Sequence, residues 1–402
     1  AELLYDVLGA RAFHQGEASH PDRLGVRAPD DLTLEVELVE PTGHFLQLLA
    51  TSSTFPLPRH VVQAHGHSWT EPGKLVSNGP FLLDGRSSED RMVLVRNPDY
   101  HGRSTGNLQR VEISLLLSRP YPELLERYEA GDLDVCHTWL LPFPQRESAR
   151  LRNPGEFASE PCLQNGYMAF NTNQPPFNDV RVRRAFVLAT DRETLASVAL
   201  GGFAFPAPGG FVPPGMAGHS PGIALPYDPQ AARELLAEAG YPGGRGFPAV
   251  VCLGLPSPMH NERDDYLRRG WQEELGVEVQ VESVEFGAVN DRIAIDSPGL
   301  YAWGWVADYP DPDNYLRVGF ANVPTGWRNP AYEGLVEKAR RLTDQRQRMR
   351  LYSQAERLLV EEAPIVPLFY NRTTLLIKPW VRRFPMAARG GWFWKDVVIE
   401  PH

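Results

Sequence analysis

The chain has 402 residues, of which 42% are hydrophobic and 22% charged, and a formal net charge of −10. That is the composition of an ordinary soluble protein, long enough to build two or more compact lobes. The acidic balance, with arginines such as Arg181, Arg183 and Arg184 scattered among carboxylates, argues against nucleic acid or an anionic membrane as a partner.

Taken in order, the first pattern lies behind Asp30-Asp31, where Leu32, Leu34, Val36 and Leu38 alternate with polar residues. This period predicts a half-buried strand after a turn. His65-Gly-His67 is the only close histidine pair and reads as exposed loop rather than a metal site. Met92–Arg96 and Val111–Leu117 predict strands on either side of the turn-rich Asn97–Gly102. Asn178-Asp179 caps a helix from Val180, with Val182, Ala185, Phe186 and Ala189 as its buried stripe. The stretch Phe205–Pro229 is rich in Pro and Gly but carries Phe211, Met216, Leu225 and Tyr227, which predicts an ordered wrapping loop.

Asp228-Pro229 then opens a helix that Gly240 closes. Tyr266–Leu275 is helical, stopped by Gly276, and Val277, Val279 and Val281 alternate as a strand. Asn329-Pro330 and Asp344 open two more helices, the second reaching Glu362, before strands at Ile365–Tyr370 and Thr373–Lys378. Strands and helices mixed throughout, without an internal repeat, define an α/β protein. No apolar run is long enough to span a membrane, and Ala1–Tyr5 lacks the basic start and apolar core of a signal peptide. Cytosolic residence and a processed start both remain open. Cys136, Cys162 and Cys252 fit no zinc spacing; a Cys136–Cys162 bridge and three separate thiols are both compatible with the sequence.

The most informative segment is Trp303–Leu316, with two tryptophans, two tyrosines and Asp308, Asp311 and Asp313, broken by Pro310 and Pro312. Rigid indole walls at Trp303 and Trp305 beside a fixed carboxylate suit a ligand with an apolar body and a cationic head. The prolines break the alternating acids of a calcium loop, and a glycosidase needs a second carboxylate that the segment does not provide. With no Ser-His-Asp signature, phosphate loop or metal motif, the chain reads as a binder rather than an enzyme, without cofactor or metal.

Three blocks, Gly166–Ala185 with Asp191-Arg192, Leu235–Tyr241 and Gly304–Leu316, together resemble the solute-binding proteins of ABC importers, in the peptide/nickel family, and especially the oligopeptide-binding proteins. Weaker matches at Gly25–Val36, Val76–Phe81, Ile365–Tyr370 and Ile377–Val381 keep the family's order across the whole chain. The resemblance implies an α/β, two-lobed periplasmic-binding-protein-like fold of type II with a small extra domain. Lobe I would be residues 1–166 and 371–402, with the rest of the small domain at about 1–75, and lobe II residues 167–370. It also implies an amino-terminally incomplete chain, with about a hundred residues and any secretion signal or lipid anchor upstream of Ala1.

The implied function is capture of short peptides in an interlobe cleft outside the cytoplasm, and delivery by a monomer to the permease of an ABC importer. By the same resemblance, Asp308 pairs with the peptide's α-ammonium and Gly304, Trp305 and Val306 dock its backbone. His260, eleven residues before Trp271, is placed near the ligand's far end with an imidazole that can protonate. Asn371 beside Tyr370 lines the cleft. Ala302 and Ala169 depart from the pattern, since related peptide binders tend to carry charged residues there. The plain alternative is that Asp308 caps a turn and Trp305 fills core. Rival functions are a cytosolic sensor of the same fold fused to a regulatory domain, and a binder of nickel chelate or haem.

Overall fold

The computed structural model describes every residue except 1, 86–87, 89–90, 115–121, 139–140, 142, 257, 297 and 387–392. The chain divides into two compact units, residues 1–55 with 163–371, and residues 56–162 with 372–402.

Seven strands carry the architecture: β1 Val135–His137, β2 Phe157–Phe170, β3 Ala204–Pro206, β4 Val250–Gly254, β5 Val279–Ser283, β6 Leu300–Val306 and β7 Ile365–Ile377. The division between units falls inside β2 and β7. In the first unit the strand order is β5-β4-β6-β2-β7, with β3 also paired to β7. β4 and β5 are parallel, joined through a helix as parallel neighbours require, whereas β6 runs antiparallel to β2.

The helices of this unit start and stop where short-range chemistry says they should. Helix α1, Val180–Leu188, is capped by Asp179, whose carboxylate accepts from Arg181 N, and it buries Val182, Ala185 and Phe186. In α2, Pro229–Glu238, Asp228 accepts from Ala231 N, and Gly240 follows at φ 99°, a conformation that favours glycine. Helix α3 spans Pro258–Leu275, starting eight residues before the predicted Tyr266. In α4, Pro330–Arg341, Asn329 caps two amides; in α5, Gln345–Glu362, Asp344 caps Gln347 N. The two strands expected at the end of the unit are one, β7, which runs through residues 371 and 372 without a break.

Residues 1–55 belong to the unit containing 163–371, whereas the family pattern grouped them with 56–166. Ion pairs explain the attachment: Asp6 engages Arg340 and Arg341, and Glu40 meets Arg341 at 2.6 Å. These partners lie some three hundred residues apart in sequence, and composition carries no sign of them. The alternating segment does form a strand, Thr33–Val36, antiparallel to Val26–Asp30. Its apolar face is not half-buried, however: Leu32 is 98% and Leu34 68% exposed.

In the second unit, Phe81–Leu83, Arg91–Arg96 and Arg110–Ser114 form an antiparallel sheet in that order. The remainder of the strand expected to reach Leu117 lies outside the described residues. β1 pairs with Leu375–Ile377 over a core of Leu124, Leu125, Tyr128, Cys136 and Leu376. His65 and His67 are exposed on a helical turn. All three cysteines are free thiols, and burial raises Cys136 and Cys162 to about 11.

Candidate functional site

The site begins with a strand that, among the described residues, is paired along its whole length on one side only. β6 follows β2 through its whole length, from Leu300↔Phe170 to Val306↔Gln164. On its other side β4 pairs only at Leu300 and Tyr301. Ala307 N donates to Leu163 O, so the odd-numbered residues of β6 direct their backbone toward β2. Gly304 and Val306 therefore turn one N–H and one C=O each toward the unpaired edge, and both residues are exposed. Such an edge is a ready partner for an extended chain.

Alternation also sorts the side chains. Tyr301, Trp303 and Trp305 share the face that meets a large aromatic core including Tyr167, Phe211 and Tyr315. Ala302, Gly304 and Val306 share the other. A side chain at 304 would meet Asn165 O at 2.8 Å, which accounts for glycine there. Trp305 is half-buried, its indole so close over Gly319 that a Cβ would sit 3.0 Å from the ring.

Asp308 follows β6 and is held by one side chain. Asn314, at the head of a π-helical turn Asn314–Gly319, donates from Nδ2 to Asp308 Oδ2 at 2.9 Å. Its Oδ1 accepts from Asp308 N at 3.0 Å and from Trp305 Nε1 at 2.8 Å. One amide thus fixes the carboxylate, its backbone and the indole together. Asp308 is half-buried and, among the described residues, no Lys, Arg or His stands within ion-pair distance of it. The carboxylate is thus positioned by a neutral amide.

Asp311 and Asp313, which the sequence fits to neither a calcium loop nor a glycosidase pair, are bound into the fold by buried partners. Asp311 forms a two-pronged pair with Arg348, both contacts at 2.9 Å, and Arg348 is fully buried. Asp313 accepts from Arg317, from Tyr309 Oη at 2.7 Å and from Tyr352 Oη at 3.1 Å. Burial pushes the Asp313 carboxyl up, but Arg317 and its other partners outweigh this and hold it at about 2. His44 stacks on Tyr309 at 5.1 Å, with Nε2 3.4 Å from Asp313 Oδ2 and outside hydrogen-bond geometry. Burial keeps this imidazole below its ordinary pKa and so neutral at pH 7.

The other sequence candidates are dispersed. His260 lies on the first turn of α3, half-buried, with Nδ1 2.9 Å from Leu255 O. Burial, reinforced by Arg263, lowers its pKa, so the surroundings favour the neutral ring over the protonated one expected. Tyr370 and Asn371 sit on β7, separated from β6 by β2 and so by two strand spacings, about 10 Å. Tyr370 is 2% exposed and its hydroxyl is committed to Gly210 O at 2.9 Å, which makes it an anchor for the wrapping loop rather than a surface for ligand. Asn371 is half-buried opposite Ala204. The residues that sequence reasoning missed are Asn314, Arg317, Arg348 and Tyr352. Only Arg317, four residues after Asp313 on a helical face, had a readable signal.

This α/β architecture is that of the two-lobed periplasmic peptide-binding proteins. The structure of the Escherichia coli murein tripeptide binding protein MppA superposes with a TM-score of 0.80 at 29% identity, covering 100% of this chain and 79% of that one. The model for bacterial extracellular solute-binding proteins, family 5 (middle), matches residues 5–327, and the chain belongs to that family. Among its relatives, the probable deoxycholate-binding periplasmic protein YgiS of Escherichia coli K12 is 33% identical over 94% of this chain and 71% of its own length. The periplasmic oligopeptide-binding protein OppA of the same strain is 31% identical over 93% of this chain and 68% of its own.

Proposed function

We propose that this chain binds short peptides outside the cytoplasm and, as a monomer, hands them to the permease of an ABC importer. The observation that carries the reading is the edge of β6 that no strand pairs beyond Tyr301 among the described residues, ending at Asp308, a carboxylate with no cation beside it among those residues. An extended peptide added at Gly304 and Val306 exchanges main-chain hydrogen bonds, so its side chains are read only weakly. Its α-ammonium meets Asp308, and Trp303 and Trp305 stiffen the strand from behind. Membership of the family and the peptide cargo named for OppA and MppA support the choice of ligand.

The test is calorimetric titration with mixed tri- to pentapeptides, their N-acetylated forms, and deoxycholate. Asp308→Ala is expected to weaken peptides with free amino termini by about 10- to 100-fold, as loss of a charge-assisted bond predicts. N-acetylated peptides should be affected far less. Equal losses for both would remove the ammonium role, and binding of deoxycholate with no peptide would overturn the peptide reading.

A further inference from the structure

The solvent side of α5 forms a second concavity, which shares no lining residue with β6 or Asp308. Residues 218–223 of the wrapping loop close over the helix and enclose a pocket of about 540 Å³. Gly218 permits the approach: it sits at φ 84°, and a Cβ there would stand 3.0 Å from Met349 Sδ. His219 pins the loop, with Nδ1 2.7 Å from Val212 O. Ser220 is buried and brings its Oγ to 3.1 Å from Ser353 Oγ.

The charge of this pocket is opposite to that of the chain. The net charge is −10, yet among the described residues no Asp or Glu lines the pocket, whereas Arg350 and Arg357 both do. Both arginines are exposed, and neither has a carboxylate within ion-pair distance among the described residues. Arg348, on the buried side of the same helix, is instead consumed by Asp311. Glu356, adjacent to Arg357 in sequence, is fully buried and accepts from Val212 N. Burial raises its pKa to about 7, so below neutral pH it is largely uncharged.

Arg350, Ser353 and Arg357 stand at i, i+3 and i+7, one stripe two turns long. Their backbone spans about 10 Å along the axis, so the two guanidinium groups flank the Ser353 hydroxyl. A planar carboxylate has two oxygens and is satisfied by one arginine's fork. A phosphate or sulfate ester has three, enough to engage both arginines and a hydroxyl together. Met349, Pro221 and Ile223 add an apolar wall, and the volume exceeds what a bare ion fills.

We propose that this pocket binds a small organic phosphate or sulfate monoester, with its oxyanion between Arg350 and Arg357 and its body against Met349 and Ile223. The site is independent of the peptide edge and stands whether or not β6 takes a peptide.

The experiment is calorimetry at pH 6 on the full chain, with phenyl phosphate, inorganic phosphate and benzoate as probes. Phenyl phosphate should bind saturably and about fivefold or more tighter than either of the others. Arg350→Ala/Arg357→Ala should weaken it by about tenfold, and Ser353→Ala by about threefold, with folding checked by circular dichroism. Arg346→Ala removes the same charge from the same helix, one turn before Arg350 and outside the pocket. It should leave affinity within about twofold of wild type. An equal loss per arginine in the Arg346 variant would reduce the effect to bulk charge and overturn the site, as would absence of saturable binding to the wild-type protein. Inorganic phosphate or benzoate matching phenyl phosphate overturns the ligand class. Retention on phosphatidylcholine vesicles doped with phosphatidic acid, without binding of phenyl phosphate, overturns it in favour of a lipid headgroup.

Discussion

Trp303–Asp308 and Asp311–Arg317 are halves of one acidic, aromatic segment, yet their carboxylates are treated in opposite ways. Asp311 and Asp313 are buried and each is clamped by an arginine, with tyrosine hydroxyls completing Asp313. Asp308 is half-buried and, among the described residues, its carboxylate is hydrogen-bonded by the amide of Asn314 and paired with no cation. The first arrangement consumes the charge to hold distant chain segments together; the second preserves it at the end of an open strand. Being acidic in a conspicuous motif is therefore no guide to function. What decides is whether the structure has already supplied the counterion.

The comparison breaks most visibly at Asp313. Asp313→Ala leaves Arg317 without its partner and two buried hydroxyls without an acceptor, and should cost about 3–5 kcal/mol of stability by urea denaturation. A loss under about 1 kcal/mol would mean that the cluster is not the clamp described.

Glu356 extends the contrast to a buried carboxylate with no arginine clamp. It is fully buried in α5, with Oε1 accepting from Val212 N at 2.8 Å and Oε2 unmatched. Burial raises its pKa from the ordinary 4.5 to about 7. The folded chain thus holds this proton more tightly than the unfolded chain. The resulting stability is full below about pH 4.5 and disappears as pH rises through 7. Glu356→Gln should exceed wild type by less than about 1 kcal/mol at pH 5 and by on the order of 3 kcal/mol at pH 8, measured by denaturation across pH. A constant difference between the two proteins at both pH values would exclude this titration.

Asn314→Ala sharpens the other half. It removes three hydrogen bonds at once and should cost about 1–2 kcal/mol, with weaker binding of peptides bearing free amino termini, followed by calorimetry. The smallest stability effect belongs to Asp308→Asn, expected within about 0.5 kcal/mol of wild type in the same denaturation assay. A large loss there would show that Asp308 is structural and that the contrast with Asp313 is false.

Much of the fold was legible because it rests on near-neighbour chemistry. Asp179, Asp228, Asn329 and Asp344 cap helices through amides two or three residues away, and the same residues could be recognised in the sequence. Tyr370 was misassigned because its partner, Gly210, lies 160 residues away in a loop whose path is set by packing. Leu32 and Leu34 alternate correctly for a strand, but alternation reports a period and not which face is covered.

The sequence by itself determined the α/β class, the caps and stops of the helices, the family, and the position of Asp308 where a strand gives way to a proline-broken turn. These depend on side-chain type and spacing within a few residues, which a sequence states directly. Tertiary structure alone decided that, among the described residues, β6 keeps one edge unpaired beyond Tyr301, and that Arg317 and Arg348 neutralise two of the three aspartates. Strand partners and counterions are brought together by closing loops of tens to hundreds of residues, and no local pattern records which closures win.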